Sequence, residues 1–108
     1  PDVVIGCEPR FEIIEGLQTL INPIFVAEVL SPSTARFDRE AKFREYQQID
    51  SLRYYLLVSQ NEVNATLFTR QNNHNWTSTN YAHLENIIEL PLINSRLLIS
   101  NIYLNTGF

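Results

Sequence analysis

Residues 24–49 read IFVAEVLSPSTARFDREAKFREYQQI, and this stretch decides the fold. Ile24 to Leu30 is apolar on both faces, as in a central strand covered from both sides. One carboxylate, Glu28, interrupts it near the middle. Ser31-Pro32-Ser33-Thr34 breaks the run. From Phe37 to Ile49 the period becomes helical: Phe43, Tyr46 and Ile49 share one face, while Arg39, Glu40, Arg44 and Gln47 lie mainly elsewhere. A strand, a turn and an amphipathic helix therefore follow one another, and Asp50-Ser51 ends the helix.

Working outward, Val3 to Cys7 is short, β-branched and apolar, and reads as a buried strand. Glu8 to Asn22 lacks firm periodicity and reads as a loop with a short helical turn. Leu52 to Val58 is a further strand, Asn64 to Arg70 its hairpin partner, and Trp76 to Tyr81 the third strand of a meander. The tail LPLINSRLLISNIYLNTGF, from Leu90, reads as a loop, a short strand and a helical turn capped by Ser100. This order predicts an α/β fold: a mixed sheet with one main helix and an antiparallel meander.

The composition fits one globular domain over residues 1–108, with 44% hydrophobic and 19% charged residues. The chain opens on Pro1 and enters an apolar run at once, so an upstream portion of the domain is expected to be missing. No apolar stretch approaches the ~20 residues that cross a bilayer. A single cysteine, Cys7, makes no internal disulfide, and a reducing cytoplasm is the expected location. The net charge of −4 argues against nucleic acid, yet Arg36, Arg39, Lys42, Arg44 and Arg53 cluster in one window that also holds four acids. Such a cluster fits either a phosphate-facing patch or a solvated helix face of mixed charge.

Three residues carry the chemistry. An ionised Glu28 inside a buried strand costs several kcal/mol unless paired or metal-bound; its plain alternatives are an exposed strand end or an arginine partner. Asp2 stands directly before a buried strand, where a turn residue is equally ordinary. Lys42 falls between Tyr46 and Ile49 on the helix, inside the apolar face. Its plain alternative is an i, i+4 pair with Asp38, worth about 0.2–0.5 kcal/mol. Together, two carboxylates on adjacent strands suit a hard cation such as Mg²⁺, and a lysine beside it can orient a water and stabilise charge on a phosphate. His74 and His83 have no partner at zinc spacing. Cys7 reads as core, and Ser31, Ser33 and Thr34 lack a nucleophile-elbow context. Trp76 with Tyr81 suits sheet packing better than base stacking.

PDVVIGC, FVAEVLSPSTARFDREAKFREY and RYYLLVS resemble the Uma-type family of bacterial restriction endonucleases, within the PD-(D/E)xK nuclease superfamily, and SRLLISNIYLNTGF resembles that family's closing strand and helical turn. The resemblance implies a restriction-endonuclease-like core, usually a homodimer, with a Mg²⁺- or Mn²⁺-dependent site acting on DNA. Asp2 matches the aspartate of the PD element and Glu28 the acid of the (D/E)xK element. Leu30 occupies that element's lysine position, and Lys42 supplies the lysine from the following helix. Asp38 also matches the family pattern, and Arg36 or Arg39 would grip a neighbouring phosphate. Arg53 and Ser59 stand where the family's next strand carries acids. A second expectation is a catalytically inactive relative serving as a DNA-binding or dimerisation module, and a third is a structural domain with Glu28 paired internally.

Overall fold

The computed structural model describes residues 3–6, 11–14, 17–20, 22–30, 35–72 and 74–103, with side chains for 22–30, 40–72 and 74–103. The strands are β1 (Val3–Gly6), β2 (Phe11–Ile14), β3 (Leu17–Leu20), β4 (Pro23–Leu30), β5 (Tyr54–Ser59), β6 (Ala65–Arg70), β7 (Trp76–Tyr81), β8 (Ile87–Leu90) and β9 (Ser95–Leu98). Helix α1 (Ala35–Gln47) joins β4 to β5, and α2 (Ile99–Ile102) follows β9. Among the described residues, five strands form one sheet in the order β1-β4-β5-β6-β7. β4 and β5 run parallel, and the other neighbours are antiparallel. A parallel pair requires a crossover, and α1 provides it. The fold is the expected mixed α/β sheet with one main helix and a meander.

Strand alternation divides the core in two. Val26 on β4 and Tyr55 and Leu57 on β5 face α1, with Leu52 beneath the helix end and Phe43, Tyr46 and Ile49 packed against them. Phe25, Ala27, Tyr54, Leu56 and Val58 face the opposite side, where β8, β9 and α2 cover them with Ile88, Leu90, Ile99 and Tyr103. Tyr55, Leu52 and Ile88 are fully buried, each burial removing enough apolar surface to contribute about 1.5–3 kcal/mol. Tyr103 ties the small layer to the sheet. Its hydroxyl lies 2.8 Å from Ser59 O and 2.9 Å from Asn64 O, and accepts the Asn64 N–H at 3.1 Å.

Helix α1 is anchored at its C-terminal end by Arg70 of β6. Nη2 donates to Gln47 O at 2.7 Å and Nη1 to Asp50 O at 3.2 Å, while the guanidinium carbon lies 4.7 Å from the Trp76 ring centroid. A cation there satisfies the Gln47 carbonyl at the helix end, adds a second donor to the Asp50 carbonyl beside Arg53, and complements the negative end of the helix dipole.

Three expectations change. The loop with a helical turn expected between Glu8 and Asn22 contains a hairpin instead, paired from Phe11↔Leu20 to Ile14↔Leu17. Two residues suffice to join such strands, and four-residue strands are too short to show a clear period. Ile87–Leu90, not foreseen as a strand, pairs with β9 around a 3₁₀ turn at Pro91–Ile93. Asn94 closes that turn at φ 51°, a left-handed conformation that asparagine tolerates. The N-cap of α2 is Leu98, with no side-chain hydrogen bond, and Ser100 lies inside the helix rather than capping it. β9 runs directly into α2, so no polar residue reaches the cap position.

Candidate active site

Glu28 alternates with Val26 on β4 and therefore faces α1, on the strand that pairs with both β1 and β5. It is 6% exposed. A carboxylate so placed needs compensating donors, and α1 brings two. Tyr46 Oη donates to Glu28 Oε1 at 2.7 Å, and Lys42 Nζ lies 3.5 Å from Oε2. The two donors stand four residues apart, one helical turn, so they share a face and descend on the same acid. Lys42 is less enclosed than its helix face led one to expect, its side chain being 47% exposed. Its ammonium nonetheless comes within 3.5 Å of the buried carboxylate.

Aromatic rings fix this arrangement from below. Tyr46 lies 5.0 Å from Tyr55, and Phe43 stacks on Tyr55 at 5.4 Å and meets Phe68 at 4.5 Å and Trp76 at 5.4 Å. Trp76 thus serves the sheet. Desolvation first, then the hydrogen bond to Glu28 and its charge, hold the Tyr46 phenol well above the ordinary tyrosine range. Burial, with the Glu28 charge second, does the same to Tyr55, whose hydroxyl has no hydrogen-bond partner among the described residues. Both phenols therefore stay protonated at neutral pH, and Tyr46 can only donate to the carboxylate.

The remaining expected residues fall differently. Asp2 lies outside the described residues; its sequence neighbour Val3 pairs with Ala27, the residue before Glu28. Arg36, Asp38 and Arg39 belong to the first half of α1, and their side chains lie outside the described residues, as do Cys7, Ser31, Ser33 and Thr34. Among the described residues no three His, Cys, Asp or Glu side chains gather as a metal cluster. Arg53 spends Nη1 on Asp50 O and Leu52 O. It lines a polar recess of about 560 Å³ beside the end of α1, together with Arg70, His74 and Trp76. A second recess, about 380 Å³ and almost wholly apolar, is lined by Val29, Leu56, Leu90 and Leu97, with Glu28 also on its wall. Apart from Glu28 itself, neither the apolar walls of this recess nor the carbonyl-bound arginines of the other offer the chemistry gathered at that carboxylate.

Sequence reasoning had placed Tyr46 in the core and missed its bond to Glu28. The signal was available: a residue four after Lys42 shares its stripe, so a lysine aimed at the sheet carries that tyrosine with it.

Comparison with known proteins agrees with this architecture. Residues 1–100 match the model of the Uma2 family, described as "Putative restriction endonuclease". The chain belongs to that family. It is 36% identical over 108 residues to slr1290, an uncharacterized protein of Synechocystis sp., covering all of this chain and 55% of that one. A second uncharacterized Synechocystis protein, sll1609, is 46% identical over 61 residues, which is 56% of this chain and 34% of its own length. The chain thus spans about half or less of these relatives. A crystal structure described as a putative nuclease belonging to DUF820, from Anabaena variabilis, superposes with a TM-score of 0.60 at 15% identity, over 78% of this chain and 45% of that one. At that identity the likeness establishes a shared fold. No described helix is long and apolar enough to cross a membrane.

Proposed function

We propose that this chain carries the catalytic core of a Mg²⁺- or Mn²⁺-dependent endonuclease that hydrolyses DNA phosphodiesters. The observation that carries the reading is the buried Glu28 carboxylate faced by the Lys42 ammonium, 3.5 Å away and delivered from another element. It is supported by membership of a family described as "Putative restriction endonuclease".

The donor chemistry fits a hard cation. Glu28 offers oxygen ligands and Lys42 and Tyr46 add no soft donor, which suits an ion that takes one or two carboxylates and retains its waters. Glu28 and Asp2 would hold the ion. When bound, such an ion supplies a Lewis acid that makes water more acidic and draws charge from a phosphate oxygen. The chain's own residues do the rest. Lys42, with its side chain 47% exposed, can hold an attacking water in line and stabilise charge developing on the phosphate. Arg36 and Arg39 are proposed to grip neighbouring phosphates, with Asp38 supporting Lys42. A homodimer acting in the cytoplasm completes the proposal.

One observation favours a second reading. Glu28 is already met by Lys42 and Tyr46, and an acid satisfied in this way is also what an inactive DNA-binding or dimerisation module would retain. The test incubates plasmid with the full-length protein in Mg²⁺, Mn²⁺ or Ca²⁺, beside Asp2→Ala and Glu28→Ala. Cutting by wild type alone, in Mg²⁺ and Mn²⁺ but not Ca²⁺, is the expected result. DNA binding without cutting in any metal would favour the module.

A further inference from the structure

We infer that Tyr46 is the positioning residue of the site: its hydroxyl fixes the Glu28 carboxylate in the orientation that receives a divalent cation. The inference rests on the reading of Glu28 as a ligand and assigns a role to a second side chain.

The two donors that α1 brings to Glu28 are not equivalent. The Tyr46 bond, at 2.7 Å, is near the about 2.5–2.7 Å typical of a hydroxyl bound to a carboxylate. The Lys42 contact, at 3.5 Å, is longer than the about 2.7–2.9 Å of a charge-assisted ammonium bond. Lys42 also hangs on a flexible four-carbon stem with its side chain 47% exposed. Tyr46 has two rotatable side-chain bonds, and its ring lies 5.0 Å from Tyr55, which is fully buried and stacked on Phe43. Of these two donors the phenol is the one built to orient the carboxylate, and Lys42 remains able to move toward a water or phosphate. Ligand carboxylates are commonly held by such partners, whose loss costs about 10–100-fold in metal affinity or activity.

The hydroxyl can be removed with little else disturbed, because Tyr46→Phe keeps the ring and its aromatic contacts. Tyr55→Phe is the control, since it deletes the hydroxyl of a neighbouring buried phenol that has no hydrogen-bond partner among the described residues. Mn²⁺ alone is titrated into the full-length protein and free ion is counted by electron paramagnetic resonance, with thermal melting run on each variant. The expected result is Mn²⁺ binding weakened about 10–100-fold in Tyr46→Phe, unchanged in Tyr55→Phe, and cooperative melting in both. Wild-type affinity in Tyr46→Phe overturns the positioning role. So does an equal loss in both variants, which would assign the effect to the aromatic packing. A wild type that binds no Mn²⁺ removes the ligand reading itself and takes this inference with it.

Discussion

Lys42 Nζ meets Glu28 Oε2 at 3.5 Å although the residues are 14 apart and lie on different elements. The pair is asymmetric, an 8% exposed acid side chain against a 47% exposed base. A partly exposed ion pair adds at most about 1 kcal/mol to stability. Lys42→Met should therefore fold, with a melting temperature lowered modestly because Glu28 keeps the Tyr46 bond but loses a compensating charge, yet lose the proposed cleavage by about 10²–10³-fold, the usual cost of deleting one charge-stabilising donor. Lys42→Arg should not restore the rate, since a planar guanidinium is not a compact point charge. Plasmid nicking rates on gels measure both. Nicking at the wild-type rate by Lys42→Met would assign the role elsewhere.

Glu28→Gln probes the other side of the pair. The amide keeps the shape and accepts the Tyr46 hydrogen bond, while removing a charge that is costly to bury. The variant should be inactive and bind no Mn²⁺, with a calorimetric melting temperature equal to or above that of wild type. A clear drop in melting temperature would make the charge a structural requirement.

The legible part of this protein was whatever the local pattern could carry. Ile24 to Leu30 announced a strand covered on both faces, and β4 is that strand, between β1 and β5. The spacing of Phe43, Tyr46 and Ile49 announced the packed face of α1. The hairpin β2–β3 and the strand β8 escaped because four residues give too few repeats to separate alternation from chance. In β8 only Ile88 and Leu90 turn inward. Tyr46 escaped for another reason. Its period marks it as core, and only the position of β4 beneath the helix reveals that its polar end meets a carboxylate. Arg70 was invisible for the same cause, since capping a helix from a strand that follows it is purely tertiary.

That cap yields a stability prediction. Arg70→Met leaves the carbonyls of Gln47 and Asp50 without these donors and removes the cation over Trp76. Hydrogen bonds from a charged donor are worth more than neutral ones, so a loss of about 2–3 kcal/mol is expected. Urea unfolding followed by circular dichroism should show a lower midpoint with an unchanged slope. An unaltered midpoint would mean that water serves these carbonyls equally well.

Tyr55 makes the opposite prediction at neutral pH and a distinctive one in alkali. Its hydroxyl is buried without a partner among the described residues, so Tyr55→Phe removes an uncompensated polar group and should be neutral or stabilising by up to about 1 kcal/mol at pH 7. Burial, then the Glu28 charge, raises the phenol above its usual value of 10.0. Below pH 10 the folded and unfolded chains both keep this proton, and the contribution to stability is fully present. Above it the unfolded chain releases the proton first, so stability falls as pH rises toward the folded value, by up to about 1.4 kcal/mol per pH unit for each such group. Tyr46 and Tyr103, also raised, add to the slope. Urea midpoints measured from pH 7 to pH 11 should therefore stay level and then fall, and Tyr55→Phe should fall less steeply than wild type. Parallel curves, or a variant weaker than wild type at pH 7, would mean that the hydroxyl has a partner after all.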